Sequence, residues 1–246
     1  MKKFFINLSI FFSIFYSNIF FAATVKIYYF ERPPYYFTEN GIAKGILIEK
    51  TEKIFNLAKI KYKFYSLPVK RIFAYLEKDI PACSPGWYYT EKRSKIFKYT
   101  SPIYESKPIV AVVNSDKWNY KNRFCSLKKL LLSNLKLGLI SGFNYGKVLE
   151  NSFYSMKKSL KLKRFTTSVD NIIKLVALGR IDYTFVSEEN IYTFLNKNRR
   201  FKKFLTIVRI NEIGKGEKRY IICSKKVSDK IIMKLNNAIK RLNYEK

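Results

Sequence analysis

Strand-like and helix-like segments alternate along almost the whole chain, and this alternation limits the fold more than any other feature of the sequence. Continuous apolar or alternating runs predict strands at 25–30, 62–65, 109–113, 137–140, 183–186 and 219–223. Apolar residues at helical spacing predict helices at 45–58, 69–76, 126–132, 147–156 and 168–178, and a last helix that Ser228 caps. Such alternation indicates an α/β architecture with mainly parallel sheets.

The N-terminus has the form of a secretory signal peptide. Two lysines precede an apolar run, and two alanines end that run before Thr24; this order is typical of export signals. We therefore expect residues 1–23 to be the signal peptide, with the cleavage position left open, and a periplasmic location for the rest. A retained membrane anchor is the alternative, because the apolar run approaches the roughly 18 residues that span a bilayer.

The net charge of +30 comes from 48 Lys and Arg against 18 Asp and Glu. A charge of this size first suggests a polyanionic partner such as nucleic acid. The cations are spread along the whole chain rather than clustered, however, so we expect a basic solvated surface and no nucleic-acid partner.

Histidine is absent and cysteine is rare, which restricts the chemistry of the chain. The three cysteines stand at 83, 125 and 223, so histidine-dependent catalysis and a zinc cluster are excluded, and we expect no metal and no other cofactor. The cysteines allow at most one disulfide in an oxidising compartment, and their spacing does not indicate which pair forms it.

Several motifs resemble, in order, those of one protein family. They are RPPYYF at 32–37, GILIE at 45–49, TEKR at 90–93 followed by IFKYTSPIY at 96–104, LGLISG at 137–142 and GRID at 179–182. Together they resemble the bacterial extracellular solute-binding proteins of family 3, the periplasmic receptors of polar amino-acid uptake systems. The resemblance covers essentially all of residues 24–246.

The resemblance implies a two-lobed periplasmic-binding-protein type II fold, in which each lobe is a mixed, mainly parallel sheet flanked by helices. Residues 24–107 and 218–246 would form lobe one, residues 108–217 would form lobe two, and two crossing strands near 106–113 and 216–223 would form the hinge. A ligand that contacts both lobes stabilises the closed state of such a protein. The expected function is that of a monomeric receptor that closes on a small carboxylate-bearing solute, an amino acid or related anion. It would serve ABC-type uptake, with an inner-membrane permease as partner.

Arg93 matches the family arginine that holds the ligand's carboxylate, a task that suits the planar fork of a guanidinium. Thr90 would cap the helix that carries Arg93. A second arginine, Arg32, would favour a ligand with more than one anionic group. The resemblance places further ligand-binding positions at Gly86, Trp87, Tyr88, Tyr35, Asn144 and Tyr145, of which the two residues at 87 and 88 replace small ones.

The sequence departs from the family where a ligand's ammonium group would be held. Amino-acid receptors usually have an aspartate five residues after the position of Asp182, and this chain has Ser187 there. Glu188 is adjacent, but side chains alternate along a strand, so it points elsewhere unless a bulge intervenes. The carboxylate half of the site is therefore better preserved than the amine half.

Two other functions remain as alternatives. One is an enzyme on the same fold, such as a periplasmic dehydratase or a peptidoglycan lyase, for which Glu31 or Glu188 would be the acid or base. The other is an orphan sensor receptor. No catalytic motif surrounds either glutamate, so we expect a binding protein without catalytic residues rather than an enzyme.

Overall fold

The computed structural model describes residues 24–78, 80–118, 123–157 and 159–244. The expected signal peptide, residues 1–23, lies outside the described residues. Within the described ranges the chain forms two larger mixed β-sheets with helices packed against them, and a short two-stranded sheet. The α/β class expected from the alternating sequence pattern is confirmed.

Strands and helices follow one another in the order that the periodicity predicts, with several additional elements. The strands are β1 (Val25–Tyr29), β2 (Phe37–Glu39), β3 (Ile42–Lys44), β4 (Tyr62–Ser66), β5 (Ala82–Tyr88), β6 (Lys98–Glu105), β7 (Ile109–Asn114), β8 (Phe124–Cys125), β9 (Leu137–Ile140), β10 (Leu162–Phe165), β11 (Tyr183–Ser187), β12 (Leu205–Ile210) and β13 (Lys218–Cys223). The helices are α1 (Ile46–Leu57), α2 (Val69–Leu76), α3 (Glu91–Ile96), α4 (Leu127–Leu131), α5 (Lys147–Ser155), α6 (Val169–Ala177), α7 (Glu188–Lys197) and α8 (Asp229–Tyr244). Two 3₁₀ helices lie at Ser115–Lys117 and Arg199–Phe204.

The two larger sheets define two lobes. The first sheet has the strand order β4-β1-β5-β13-β6, in which β1 runs parallel to β4 and β5 while β13 runs antiparallel to both of its neighbours. The second sheet has the order β10-β9-β11-β7-β12-β8, in which β9 runs parallel to β10 and β11 while β7 runs antiparallel to β11 and β12. We refer to the two sheets, with the helices that pack on them, as the first and second lobes.

The chain crosses between the two sheets twice, and the crossings lie side by side. Residues 106–108 lead from β6 to β7, and residues 211–217 lead from β12 back to β13. The amide and the hydroxyl of Ser106 both donate to the carbonyl of Glu217, each at 3.2 Å. Gly216 packs directly against the Ser106 carbonyl, and a Cβ at this position would collide with it. The two crossings therefore form one narrow connection between the lobes.

Helix ends and buried faces explain how the elements are fixed. Ser168 caps α6 by accepting from the amide of Asn171 at 3.2 Å, and Ser228 caps α8 in the same way. The inner face of α6 buries Ile172, Ile173 and Val176, and each such side chain contributes about 1.5–3 kcal/mol relative to exposure. One apolar core forms in the first lobe and two form in the second, and Tyr88 and Phe143 each pack against a core of the opposite lobe. Among the helices of the described ranges, none combines the length and the apolar character of a membrane span.

Strand β5 lies in the middle of the first sheet although it contains a proline and a glycine. All seven of its residues are buried, and Gly86 adopts a positive φ of 89°, which favours glycine. The pairing with β13 shifts register at this point, as in a β-bulge. The bulge lies just before the carboxyl end of β5, where the chain reaches the space between the lobes. Cys83 in β5 and its register partner Cys223 in β13 form a disulfide, and Cys125 is a buried free thiol.

Candidate ligand-binding cleft

Side chains from the two lobes meet in a cleft at the carboxyl ends of β1, β5, β9 and β11. Its innermost part, which we call the inner cavity, has a volume of about 20 Å³. The inner cavity is lined by Phe30, Arg32, Tyr36, Gly86, Trp87, Tyr88, Arg93, Phe143, Asn144 and Arg219. Six of the positions that the sequence singles out, those at 32, 86, 87, 88, 93 and 144, are therefore brought together here.

Arg93 is held by its own helix end and by two aromatic rings. Thr90 caps α3 by accepting from the amide of Arg93 at 3.2 Å. The guanidinium carbon lies 5.0 Å from the ring centres of both Phe73 and Trp87, an arrangement that favours a cation. Burial lowers the pKa of Arg93, which still leaves it charged at neutral pH. Its Nη2 donates to the Gly142 carbonyl at 3.4 Å, so the fork faces the second lobe.

Arg32 joins the first lobe to the start of α7 in the second lobe. Its Nε and Nη2 donate to Oδ1 of Asn190 at 3.2 and 3.0 Å. The amide nitrogen of the same asparagine donates to the Pro33 carbonyl at 2.6 Å. The guanidinium carbon lies 5.2 Å from the ring centre of Tyr35 and 5.0 Å from that of Phe143. Asn190, which the sequence analysis missed, thus clamps the loop that follows β1.

Tyr35 and Ser187 meet across the cleft. The Tyr35 hydroxyl lies 2.9 Å from Oγ of Ser187 and donates to Oε2 of Glu189 at 3.0 Å. Burial raises the pKa of Tyr35 well above its usual range. Oε1 of Glu189 accepts from the Tyr104 hydroxyl at 3.1 Å and from the Lys107 amide at 2.7 Å. Burial, with Glu189 beside it, raises the pKa of Tyr104 to about 12.

Glu188 points away from this network. Its Oε1 accepts from Nε of Arg209 at 3.0 Å, and it is absent from the described residues that line the inner cavity. The reason is local: β11 ends at Ser187, and α7 begins at Glu188, so successive side chains leave the chain in different directions. The carboxylate that faces Tyr35 belongs to the next residue, Glu189.

The turn after β9 presents its backbone to Arg93. Oδ1 of Asn144 accepts from the Gly146 amide at 3.0 Å, and this Asx-type turn leads into α5. Tyr145 is buried, and its hydroxyl accepts from the Ile140 amide at 2.7 Å. Tyr145 therefore supports the turn, whereas Asn144 lines the cavity. The turn carries the Gly142 carbonyl to which Arg93 donates.

Arg219 is the cleft residue that sequence reasoning missed most clearly. It lies on β13 with 1% of its surface exposed, donates from Nη1 to the Gly86 carbonyl at 2.9 Å and from Nη2 to the Tyr88 hydroxyl at 3.1 Å. Its guanidinium carbon lies 4.5 Å from the ring centres of Tyr35 and Tyr88. Because side chains alternate between the two faces of a strand, Arg219 lies on the same face as the buried Ile221. This spacing in the sequence already indicates that Arg219 is buried.

A larger cavity of about 410 Å³, which we call the outer cavity, adjoins the inner one and shares Phe30 and Phe143 with it. Both lobes contribute to its walls, which are mostly apolar with several hydroxyl groups. Glu31 lines the outer cavity, but its carboxylate accepts hydrogen bonds from the amide and hydroxyl of Thr38 and from Oγ of Ser66. Within the described residues, no three acidic, histidine or cysteine side chains are grouped as a metal site requires.

Two sheets joined by a double crossing, with a cationic cleft between them, define a two-lobed binding protein for a small solute. The sequence profile of the bacterial extracellular solute-binding proteins, family 3, matches residues 26–246. The chain therefore belongs to this family, and the resemblance noted in its motifs is confirmed.

Solved structures show the same fold at low sequence identity. One, from work on glutathione import in Gram-positive bacteria via GshT and the cystine ABC importer TcyBC of Streptococcus mutans, is 18% identical, with a TM-score of 0.74 and coverage of 90% of both chains. The arginine-, lysine-, histidine-binding protein ArtJ from Geobacillus stearothermophilus is also 18% identical, with a TM-score of 0.72 and coverage of 91% of this chain and 90% of that one.

A histidine kinase sensor domain with similarity to periplasmic binding proteins shares the fold as well. It is 19% identical, with a TM-score of 0.67 and coverage of 90% of both chains. No curated protein matches the sequence at a significant level. At these identities the structural likeness establishes the fold of the chain.

Proposed function

We propose that the protein is an exported, monomeric receptor that closes its two lobes on a small carboxylate-bearing solute and delivers it to an ABC-type permease of the inner membrane. The observation that carries this proposal is Arg93, whose fork is fixed by two rings and directed across the cleft at the Gly142 carbonyl. A carboxylate is a stronger acceptor for this fork than a carbonyl, because both partners are then charged.

The connection between the sheets supports closure by hinge motion. Only residues 106–108 and 211–217 link the two sheets among the described elements, so a rotation there would change the width of the cleft while leaving both cores intact. We place the lobe boundaries at 24–107 with 218–246 and at 108–217. A ligand that contacts Arg93 on one side and the turn at 142–146 on the other would favour the closed state.

The remaining parts of the proposal concern location and chemistry. Family membership makes the chain an extracellular solute-binding protein, and the apolar segment at 1–23 supports a signal peptide and a periplasmic location. We infer a binding protein rather than an enzyme, because Glu188 is paired with Arg209 and Glu31 with Thr38 and Ser66. The permease partner is supported by a structural neighbour from work on import through the cystine ABC importer TcyBC.

A thermal-shift screen of amino acids, monocarboxylates and dicarboxylates tests the proposal. A ligand at ~100 times its dissociation constant stabilises the folded state by about 2.7 kcal/mol, which is visible as a higher melting temperature. Arg93→Ala should abolish the shift. Lys92→Ala, an exposed neighbour on the same helix, is the matched control and should retain it. Unchanged binding in Arg93→Ala would contradict the assignment of the carboxylate site.

The sensor alternative has one observation in its favour, the shared fold of the histidine kinase sensor domain. A sensor and a transport receptor bind their ligands by the same lobe closure, so the ligand screen does not separate them. Reconstitution with the candidate permease separates them: a transport receptor stimulates uptake of the bound solute, whereas a sensor leaves uptake unchanged.

A further inference from the structure

Arg219 is a buried cation whose hydrogen-bond partners among the described residues are all neutral. Its side chain is 1% exposed, and its acceptors are the Gly86 carbonyl and the Tyr88 hydroxyl. Its Nε is buried without a hydrogen-bond partner among the described residues. None of the ion pairs formed within the described ranges includes Arg219.

Such an arrangement is unusual, because a buried charge is costly unless an opposite charge and further hydrogen bonds compensate it. The rings of Tyr35 and Tyr88, each 4.5 Å from the guanidinium carbon, offset part of the cost. Because the guanidinium lies over these rings, they cannot accept the hydrogen bond that Nε donates within the guanidinium plane. Arg219 also lines the inner cavity, whose volume of about 20 Å³ is too small for a ligand group as it stands. An anionic group that enters this cavity when the lobes part would meet Arg219.

The same cavity collects two further guanidiniums, and they too have neutral acceptors. Arg32 donates to the Asn190 side chain, and Arg93 donates to the Gly142 carbonyl. Three cations thus line one cavity, whose described lining contains no acidic residue. The lining of the inner cavity is therefore positively charged, and the aromatic rings around it form a low-dielectric wall in which charges interact more strongly than in water.

The nearby acids do not neutralise this charge directly. Glu189 lies within electrostatic reach of Arg219, but its two oxygens accept from the Tyr35 and Tyr104 hydroxyls and from the Lys107 amide. Glu150 lies within reach of Arg93 and accepts from a backbone amide, that of Tyr145. Against three cations, these partly engaged carboxylates leave an excess of positive charge.

A ligand's ammonium group would find no acidic side chain among the described residues that line this cavity. Ser187 stands where the family pattern has an aspartate, and its hydroxyl donates to Oδ1 of Asn190 at 2.7 Å. The adjacent Glu188 is paired with Arg209 on another side of the second lobe. A zwitterionic amino acid would bring its ammonium toward three guanidiniums, which is electrostatically unfavourable.

We propose that Arg219 is a second anion-binding residue of the cleft and that the solute is therefore a small dicarboxylate without an ammonium group. One carboxylate is held by Arg93, and the other is held by Arg219 with Arg32 beside it. The carbon chain that joins the two carboxylates would lie against Phe30 and Phe143, the apolar side chains that the inner and outer cavities share. This inference rests on the proposed function and names the class of solute that the receptor binds.

Four five-carbon or four-carbon probes test the inference on the intact mature protein by isothermal titration: glutarate, L-glutamate, L-glutamine and butyrate. Glutarate and L-glutamate differ only in the amino group, and butyrate has a single carboxylate. We expect glutarate to bind at least about tenfold more tightly than each of the other three probes. Butyrate and L-glutamine lack the second carboxylate, and the ammonium groups of L-glutamate and L-glutamine are repelled by the guanidiniums. Tighter binding of L-glutamate or L-glutamine would overturn the inference while supporting the proposed function. No binding of any probe would overturn the inference, whereas the proposed function fails only if the broader thermal-shift screen also finds no carboxylate-bearing ligand.

Arg219→Met and Arg219→Lys then assign the effect to this residue. The methionine should reduce the ratio of glutarate to butyrate affinity at least about tenfold, whereas the lysine should retain part of it. Arg180→Gln, an exposed arginine before β11, is the control and should leave the ratio unchanged. If Arg219→Met fails to fold, the glutarate-to-butyrate ratio of Arg219→Lys and the order of probe affinities in the wild-type protein still test the inference. An unchanged ratio in folded Arg219→Met would refute the role of Arg219.

Discussion

The hydroxyl of Tyr35 lies 2.9 Å from Oγ of Ser187, and this contact joins the loop after β1 in the first lobe to the end of β11 in the second. Both residues are fully buried. The position at which the family pattern carries an acid is thus occupied by a neutral hydroxyl that meets the opposite lobe. The lobes contact each other directly here, through neutral groups and through the carboxylate of Glu189.

The Ser187→Asp variant tests how the neutral residue at this position affects which ligand the protein prefers. We expect the ratio of L-glutamine to glutarate affinity to rise about tenfold or more, because a carboxylate supplies a charge-assisted partner for an ammonium. The ligand-free protein should lose about 1–3 kcal/mol of stability, because the new acid is buried near Glu189 and no longer donates to Asn190. Titration and chemical unfolding measure the two effects. Ser187→Asn is the neutral control; an equal change in preference there would show that charge is not the cause.

Asn190→Ala tests the clamp between Arg32 and α7. Removing the amide leaves the Arg32 guanidinium and the Pro33 carbonyl without this partner. The state in which the two lobes are in contact should therefore lose about 1.5–3 kcal/mol of stability relative to the open state. We expect weaker ligand affinity and a larger radius of gyration in small-angle scattering, since the open state gains population. Asn196→Ala, on the exposed side of the same helix, should change neither quantity. An unchanged radius of gyration and an unchanged affinity in Asn190→Ala would mean that the Arg32–Asn190 contact does not set the equilibrium between the open and closed states.

Local sequence patterns predicted the helices and strands whose own periodicity or apolar composition identifies them. The amphipathic helix at 69–76 and the apolar strand at 137–140 have the same bounds in the structure, because period and composition alone determine them. The Thr90 cap was also predictable, since a cap and its helix are neighbours in sequence, whereas Arg93 was singled out by the resemblance to the family. The prediction that several cleft positions come together rested on the motifs at 32–37, 90–104 and 137–142.

Other features depend on packing between distant parts of the chain. Strand β5 escaped prediction because Pro85 and Gly86 argue against a central strand, yet the bulge opposite β13 accommodates them. Asn190 reaches Arg32 across 158 positions, and Arg219 reaches Gly86 across 133. No spacing rule connects residues so far apart, so their roles became visible only when the two sheets were assembled.

Gly216→Ala probes the double crossing between the lobes. A Cβ at Gly216 would overlap the Ser106 carbonyl, so the two crossings would have to separate. We expect a loss of about 1–3 kcal/mol in unfolding free energy, as for other overpacked sites, and a change in ligand affinity. Gly214→Ala is the matched control two residues away, where a Cβ meets no atom within 4 Å. Equal stability of the two variants in urea unfolding would contradict the close packing of the crossings.

The Cys83–Cys223 disulfide should stabilise the first lobe. It links register partners on β5 and β13 and closes a loop with a sequence separation of 140. By the chain-entropy argument, the Cys83→Ala/Cys223→Ala variant should lose about 2–5 kcal/mol in unfolding free energy, as measured by urea denaturation. Adding reductant during unfolding should lower the midpoint of the wild-type protein and leave that of the double variant unchanged. Cys125→Ala, which removes the buried free thiol, should keep the wild-type sensitivity to reductant. Thiol titration of the denatured, unreduced protein should give one free thiol, and a count of three would show that the bond is not formed.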